Sequence, residues 1–191
     1  MISTPNIIIS SDPQLSDIPI TEIGSKLKDK FSWLSQAFGK VQRLVEMKGN
    51  QRQVFPGVHT KTEYLNLLPD GHIKNYCYFD PVDPLEVETF RRGLQSDLVQ
   101  SFGVVFWFNY KDIYTDDWNV RTIDNVIADI LKFFRNTTFT TCKIVVESID
   151  TETDNIYKGY NHNEIKHQFM MRPYRALRFN IQIRFSEKCT P

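Results

Sequence analysis

Nine consecutive residues, Phe102 to Tyr110 (FGVVFWFNY), are almost entirely β-branched or aromatic, with Asn109 the one strongly polar side chain among them. A strand of that composition has no face to leave to water, so it belongs in the middle of a sheet that is covered on both sides. The rest of the chain must therefore provide two covering layers. It has the material: 41% of 191 residues are hydrophobic, including 14 Phe and 8 Tyr. No Gly/Ser-rich linker divides the sequence, so a single domain spanning residues 1–191 is expected.

The elements around that run follow from periodicity. Ile123, Val126, Ile127, Ile130, Leu131 and Phe134 recur at helical spacing, with Asp124, Asp129 and Lys132 off the stripe, which predicts an amphipathic helix. A second helix is predicted from Thr21, whose hydroxyl is placed to cap it, through Ile23, Leu27, Phe31 and Leu34. Cys142 to Ile149 alternates Lys143 and Glu147 against Ile144 and Val146, as a strand does. Leu177 to Phe185 alternates Leu, Phe, Ile, Ile and Phe against Arg178, Asn180, Gln182 and Arg184, which predicts a closing strand with one dry and one wet face. Gly39 to Glu46 also reads as a strand. Between Asn50 and Pro84 the breakers Pro56-Gly57, Pro69-Asp70-Gly71, Pro81 and Pro84 separate short apolar stretches, as in strands joined by tight turns. The fold class is α+β: a mostly antiparallel sheet with at least two helices packed on a face, an α/β sandwich.

Composition narrows the function classes. The 23 basic and 23 acidic residues cancel, which removes the general attraction to phosphate of a DNA-coating protein or an anionic-membrane binder. The segment before Lys26 lacks the basic region and long apolar core of a secretory signal, and the longest uncharged stretch, Leu98 to Tyr110, is too short for a membrane-spanning helix. Cys77, Cys142 and Cys189 are odd in number and widely spaced, which suits a reducing cytoplasm better than a disulfide framework or a zinc site.

The chemical motifs fall short on geometry. Asp150, Glu152 and Asp154 occupy the first, third and fifth positions of an apparent calcium loop, but Asn155 stands where glycine is needed and Asn161 where a bidentate Glu is needed. His162 and His167 are too far apart in azimuth for the paired-histidine zinc motif of a helix. Asp116 and Asp117 read as charges preceding a helix rather than an acid and base. No phosphate loop, dinucleotide turn or nucleophile elbow is present. No catalytic residue, cofactor or metal is therefore expected.

Charge in the final third is unevenly distributed. Glu147, Asp150, Glu152 and Asp154 fall in a stretch without Lys or Arg, whereas Lys158, Lys166, Arg172, Arg175, Arg178, Arg184 and Lys188 follow against only Glu164 and Glu187. Such patches suit a head-to-tail contact between copies, acidic loop to basic edge, that closes into a ring. Solvated charge with no partner is the commoner meaning of such patches in a soluble domain. Nucleic-acid binding is the alternative, with Arg175, Arg178 and Arg184 on phosphates and Tyr174 stacking on bases. An uncharacterised enzyme ranks third.

The order of GVVFWFNY, TIDNVIADILKFF, CKIVVESI, a polar excursion ending in Met171-Arg172-Pro173-Tyr174, and ALRFNIQIRF resembles the tail terminator and tail-completion proteins of tailed bacteriophages over about residues 100–185. The resemblance implies a small α/β sandwich without catalysis or cofactor. It implies a homo-oligomeric ring, commonly hexameric, at the head-proximal end of the tail, touching the tail tube and the neck and lying close to DNA in its lumen. It would use Asp150, Glu152, Asp154, Arg172, Arg175 and Arg178 as inter-subunit or tube-facing contacts. Residues 54–90 depart from that pattern and read as an inserted β-rich arm.

Overall fold

In the computed structural model of the chain the described residues are 7–8, 13–60, 63–91 and 95–188; Cys189 lies outside them. In chain order the elements are β1 (Ile7–Ile8), α1 (Asp17–Lys30), β2 (Gln36–Lys40), β3 (Gln42–Lys48), β4 (Gln51–Thr60), β5 (Glu63–Asn66), β6 (Tyr76–Pro81), β7 (Glu86–Arg91) and β8 (Gln95–Asn109). They continue with α2 (Tyr110–Ile113), α3 (Ile123–Asn136), β9 (Cys142–Asp150), α4 (Thr153–Ile156) and β10 (Tyr174–Lys188), with two short 3-10 turns between α4 and β10. A seven-stranded sheet has the order β1-β2-β6-β8-β10-β9, with β7 paired to β8, and β3-β4-β5 form a separate three-stranded sheet. The β1–β2 and β2–β6 pairs are parallel; every other pair is antiparallel, which makes this an α+β fold.

The apolar run occupies the centre. Its residues Phe102 to Asn109 are the second half of β8, with Tyr110 opening α2, and the strand is flanked by β6 on one side and β10 on the other, in an unbroken register from Tyr174↔Asn109 to Lys188↔Gln95 with β10. Phe102, Val104, Phe106 and Phe108 point to one face, Val105 and Trp107 to the other, and all are buried. Burying one such side chain contributes about 1.5–3 kcal/mol, which makes this strand the largest single source of core among the elements.

Helices α1 and α3 cover the first face. From α3 come Val126, Ile130, Phe133 and Phe134, and from α1 come Ile20, Ile23 and Leu27. The α3 helix begins and ends close to where its periodicity predicts. The α1 helix instead starts at Asp17, ahead of the expected Thr21, and Thr21 donates its hydroxyl to the Asp17 carbonyl (2.7 Å) inside the helix rather than capping it. Pro19 is tolerated because it falls in the first turn, where backbone N–H groups have no helical partner to lose. Phe31 and Leu34 lie beyond the helix end yet still join the same cluster.

The expected strand at 39–46 is two strands in two sheets. The chain leaves β2 at Lys40 and enters β3 at Gln42, while buried Val41 donates its N–H to Phe79 O (2.9 Å). Residues 54–90 likewise do not form one inserted arm. The described part up to Asn66 belongs to the three-stranded sheet, whereas β6 is an inner strand of the main sheet whose Tyr76 to Asp80 are all buried. The physical reason is that YCYF is apolar on both faces and must be covered on both, like β8.

The second face is covered by β3-β4-β5 and the excursion 151–170. Phe55, Val58, Leu67, Leu68, Ile156, Tyr157, Tyr160, Ile165 and Phe169 pack there against Tyr76, Tyr78, Val105 and Trp107. Trp107 stacks on Tyr174 (5.1 Å, 8° between rings) and donates its indole N–H to Phe169 O (3.2 Å).

Candidate functional site

The face of β10 expected to be wet is partly closed over, and this decides the fate of Arg178. That residue is 5% exposed, and its Nη1 lies 2.7 Å from Oδ2 of Asp80, itself 2% exposed. The guanidinium also donates to Asn180 Oδ1 (2.9 Å) and to Ile156 O (3.2 Å), and Tyr160 donates its hydroxyl to Asp80 Oδ1 (2.7 Å). Asn180 extends the network to Ser148 Oγ (2.9 Å) and Asp150 Oδ2 (2.7 Å). Gly103 makes the arrangement possible: a Cβ there would stand 2.1 Å from the Arg178 Cζ. Arg178 is thus a core residue, not the inter-subunit or phosphate contact anticipated from its alternation.

Two tyrosine hydroxyls buried on this face, Tyr78 and Tyr157, find no hydrogen-bond partner among the described residues. Burial pushes both phenols well above their ordinary range, and it does the same for Tyr160, with the Asp80 charge adding to it. The centre is closed and ties β6, β10 and the excursion together. Its chemistry is structural: a buried ion pair is worth little against an apolar replacement, but removing one partner strands a charge.

The other anticipated contacts scatter. Asp150 accepts from Asn180, and Asp154 pairs with His162 Nε2 at 2.9 Å, so the three acids do not converge as a calcium loop would require. Among the described residues no group of three or more His, Cys, Asp or Glu is placed to hold a metal ion. Glu152 is exposed ahead of α4. Arg172 donates to Asn119 O (2.7 Å) and to Arg121 O, and lies over the Tyr110 ring (5.3 Å), so it pins the loop before α3. Arg175 is exposed. Of the residues named for nucleic-acid contact, Tyr174 is stacked on Trp107, Arg178 is buried and Arg184 pairs with Glu88 (2.9 Å), which leaves Arg175. Asp117 pairs with Arg121 (2.8 Å) in the turn before α3.

Sequence reasoning missed two anchoring acids. Asp80 is 98 residues from Arg178, and its one signal was an acid closing a wholly apolar run. Glu22 on α1 accepts from the backbone N–H groups of Thr140 and Thr141 (2.8 Å each) and from both hydroxyls, and pairs with Lys26 (2.9 Å). Burial alone would raise its pKa, but the Thr141 hydroxyl, the two amides and Lys26 outweigh that and hold the carboxyl well below its usual range.

A cavity of about 800 Å³ opens between the start of α1, the start of β9 and the far ends of β8 and β10, with Leu15, Ile18, Phe139, Cys142, Arg184 and Phe185 in its wall. Burial pushes the Cys142 thiol up to about 11, so it is not a poised nucleophile. No protein-family model and no curated protein matches the chain. Among the described residues no helix is long and apolar enough to cross a membrane.

Proposed function

We propose that the protein is a structural component of a tailed-bacteriophage virion, of the tail terminator or tail-completion kind, that forms a ring at the head-proximal end of the tail and joins it to the neck. The observation that carries this reading is the arrangement of residues 95–188. Central strand, amphipathic helix, edge strand, polar excursion and closing strand form one continuous block, β8-β10-β9 with α3 across it, in the order on which the resemblance rests. The reading involves no catalytic group. The contacts left for it are Glu152 and Asp154 on the acidic side and Arg175, with Arg172, on the basic side, since Arg178 is internal.

Light scattering on the purified protein, with and without tail-tube protein, tests it. A discrete multiple of 22.4 kDa, visible as rings by electron microscopy and weakened by Arg175→Glu or Glu152→Lys, is the expected result. A protein that stays monomeric alone and in the presence of tail tubes overturns it.

A further inference from the structure

The outer edge of β9 ends the main sheet: β9 pairs with β10, and among the described residues no strand pairs its other side. An open edge offers a row of unpaired N–H and C=O groups, and proteins usually blunt such rows with charge or a bulge. Both devices are present here. The bulge leaves Glu147 as the extra residue between the pairs Ile181↔Val146 and Asn180↔Ser148, so Cys142 to Val146 is regular. The charges, however, are of opposite sign and symmetric about Val145. Read outward from Val145, the sequence Lys143-Ile144-Val145-Val146-Glu147 places Val146 against Ile144 and Glu147 against Lys143.

We propose that β9 is a self-association edge on which a second copy of this chain pairs antiparallel about a two-fold axis at Val145. Lys143 of each copy then meets Glu147 of the other, Val145 meets its own counterpart, and Ile144 meets Val146. Three observations support the assignment. Lys143 and Glu147 are exposed, and neither forms an ion pair with any described residue of its own chain. Val145, between them, is 51% exposed, so an apolar side chain stands open at the centre of the edge. On the helix side of the edge, Leu131, Phe134, Arg135, Ile144 and Val146 line a depression of about 340 Å³. A two-fold perpendicular to the sheet brings the α3 helices side by side on one face and covers that depression from both copies. An isologous contact of this kind needs a self-complementary patch, which an arbitrary edge strand does not provide.

The pairing does not depend on the ring: a ring needs head-to-tail contacts, whereas this one joins identical edges. Sedimentation velocity over a wide concentration range tests it on four proteins: the wild type, Lys143→Glu, Glu147→Lys and the double exchange. The wild type is expected to gain, as concentration rises, a species of twice the mass of the 22.4 kDa chain, or of the ring where the ring has formed. Each single variant sets like charges opposite each other at both ends of the ladder and weakens the dimer by about tenfold or more. The double exchange restores opposite charges and recovers dimerisation. Far-UV circular dichroism checks that each variant is folded, and amide exchange on the wild type gives a second readout, with protection across 143–147 rising with concentration. A wild type that remains monomeric with concentration-independent exchange overturns the proposal. So does a folded double variant that stays as weak as the singles. An oligomer indifferent to all the exchanges also overturns it while leaving the ring intact.

Discussion

The two faces of the central sheet are built on different principles. The helix face has an apolar interior, with polar anchors such as Glu22 only at its margin: β8 and β10 present Phe102, Val104, Phe106, Phe108, Leu177, Phe179, Ile181 and Ile183, and α1 and α3 return Ile23, Leu27, Val126, Ile130 and Phe133. The opposite face mixes rings with polar groups, as Tyr76, Tyr78, Trp107, Tyr157 and Tyr160 share it with the Asp80–Arg178 pair. Apolar burial is non-directional and tolerates small shifts, whereas a buried charge demands a partner at a fixed position. The first face should therefore fail gradually under substitution and the second abruptly.

The largest effect tests that directly. Asp80→Ala leaves Arg178 buried without its counter-charge and is expected to cost about 3–5 kcal/mol in urea or guanidinium unfolding. The paired replacement Asp80→Leu with Arg178→Met should cost much less, because it removes both charges from the interior. If the pair costs as much as the single change, the second face depends on its charges for more than their mutual neutralisation.

On the helix face, Ile130→Ala is expected to cost about 2–4 kcal/mol through lost burial and the cavity it leaves. Ile130→Val at the same site should cost about 1 kcal/mol, and that gradation is the signature of an apolar face. Chemical denaturation of both variants measures it.

Tyr160→Phe removes one hydroxyl donated to Asp80 while keeping the ring, and about 1.5–3 kcal/mol is expected, the range for a hydrogen bond to a charged group. A loss near zero would mean that Arg178 alone satisfies Asp80.

The smallest effect concerns Glu22, which joins α1 to the start of β9. Its folded-state pKa is depressed, so its contribution is fully present above the ordinary value of 4.5 and is lost as pH falls toward the lower folded value. Glu22→Gln should cost about 1–2 kcal/mol at neutral pH, and the difference from wild type should shrink below pH 4.5. Melting temperatures across pH 2–7 read this out; a difference constant across that range would assign the loss to hydrogen-bond geometry rather than charge.

Legibility in the sequence divided along the same line. The FGVVFWFNY strand followed from an apolar run with no wet side, and α3, β9 and the apolar half of β10 from periods of 3.6 and of two residues, because each element's own pattern records which of its sides is dry. The start of α1 was misplaced because Thr21 has the side chain of a cap, whereas the helix begins four residues earlier, at Asp17, and takes Pro19 in its first turn. Of the anticipated contact residues, Arg178 was misjudged for the clearest reason. Alternation on β10 shows that Arg178 opposes the apolar side, but it cannot show that residues 151–170 and β3-β4-β5 fold over that side and bury it.

The sequence by itself determined a buried central strand, an amphipathic helix across it and a mostly antiparallel α+β sheet, since burying apolar surface is a demand each segment carries within its own composition. Only the tertiary structure decided that residues 39–46 split between two sheets, that Asp80 meets Arg178 across 98 residues, and that β9 is left as an open edge. Those outcomes depend on which distant segments arrive at the same place. Directional polar contacts and unpaired edges are properties of that arrangement, and no local pattern encodes them.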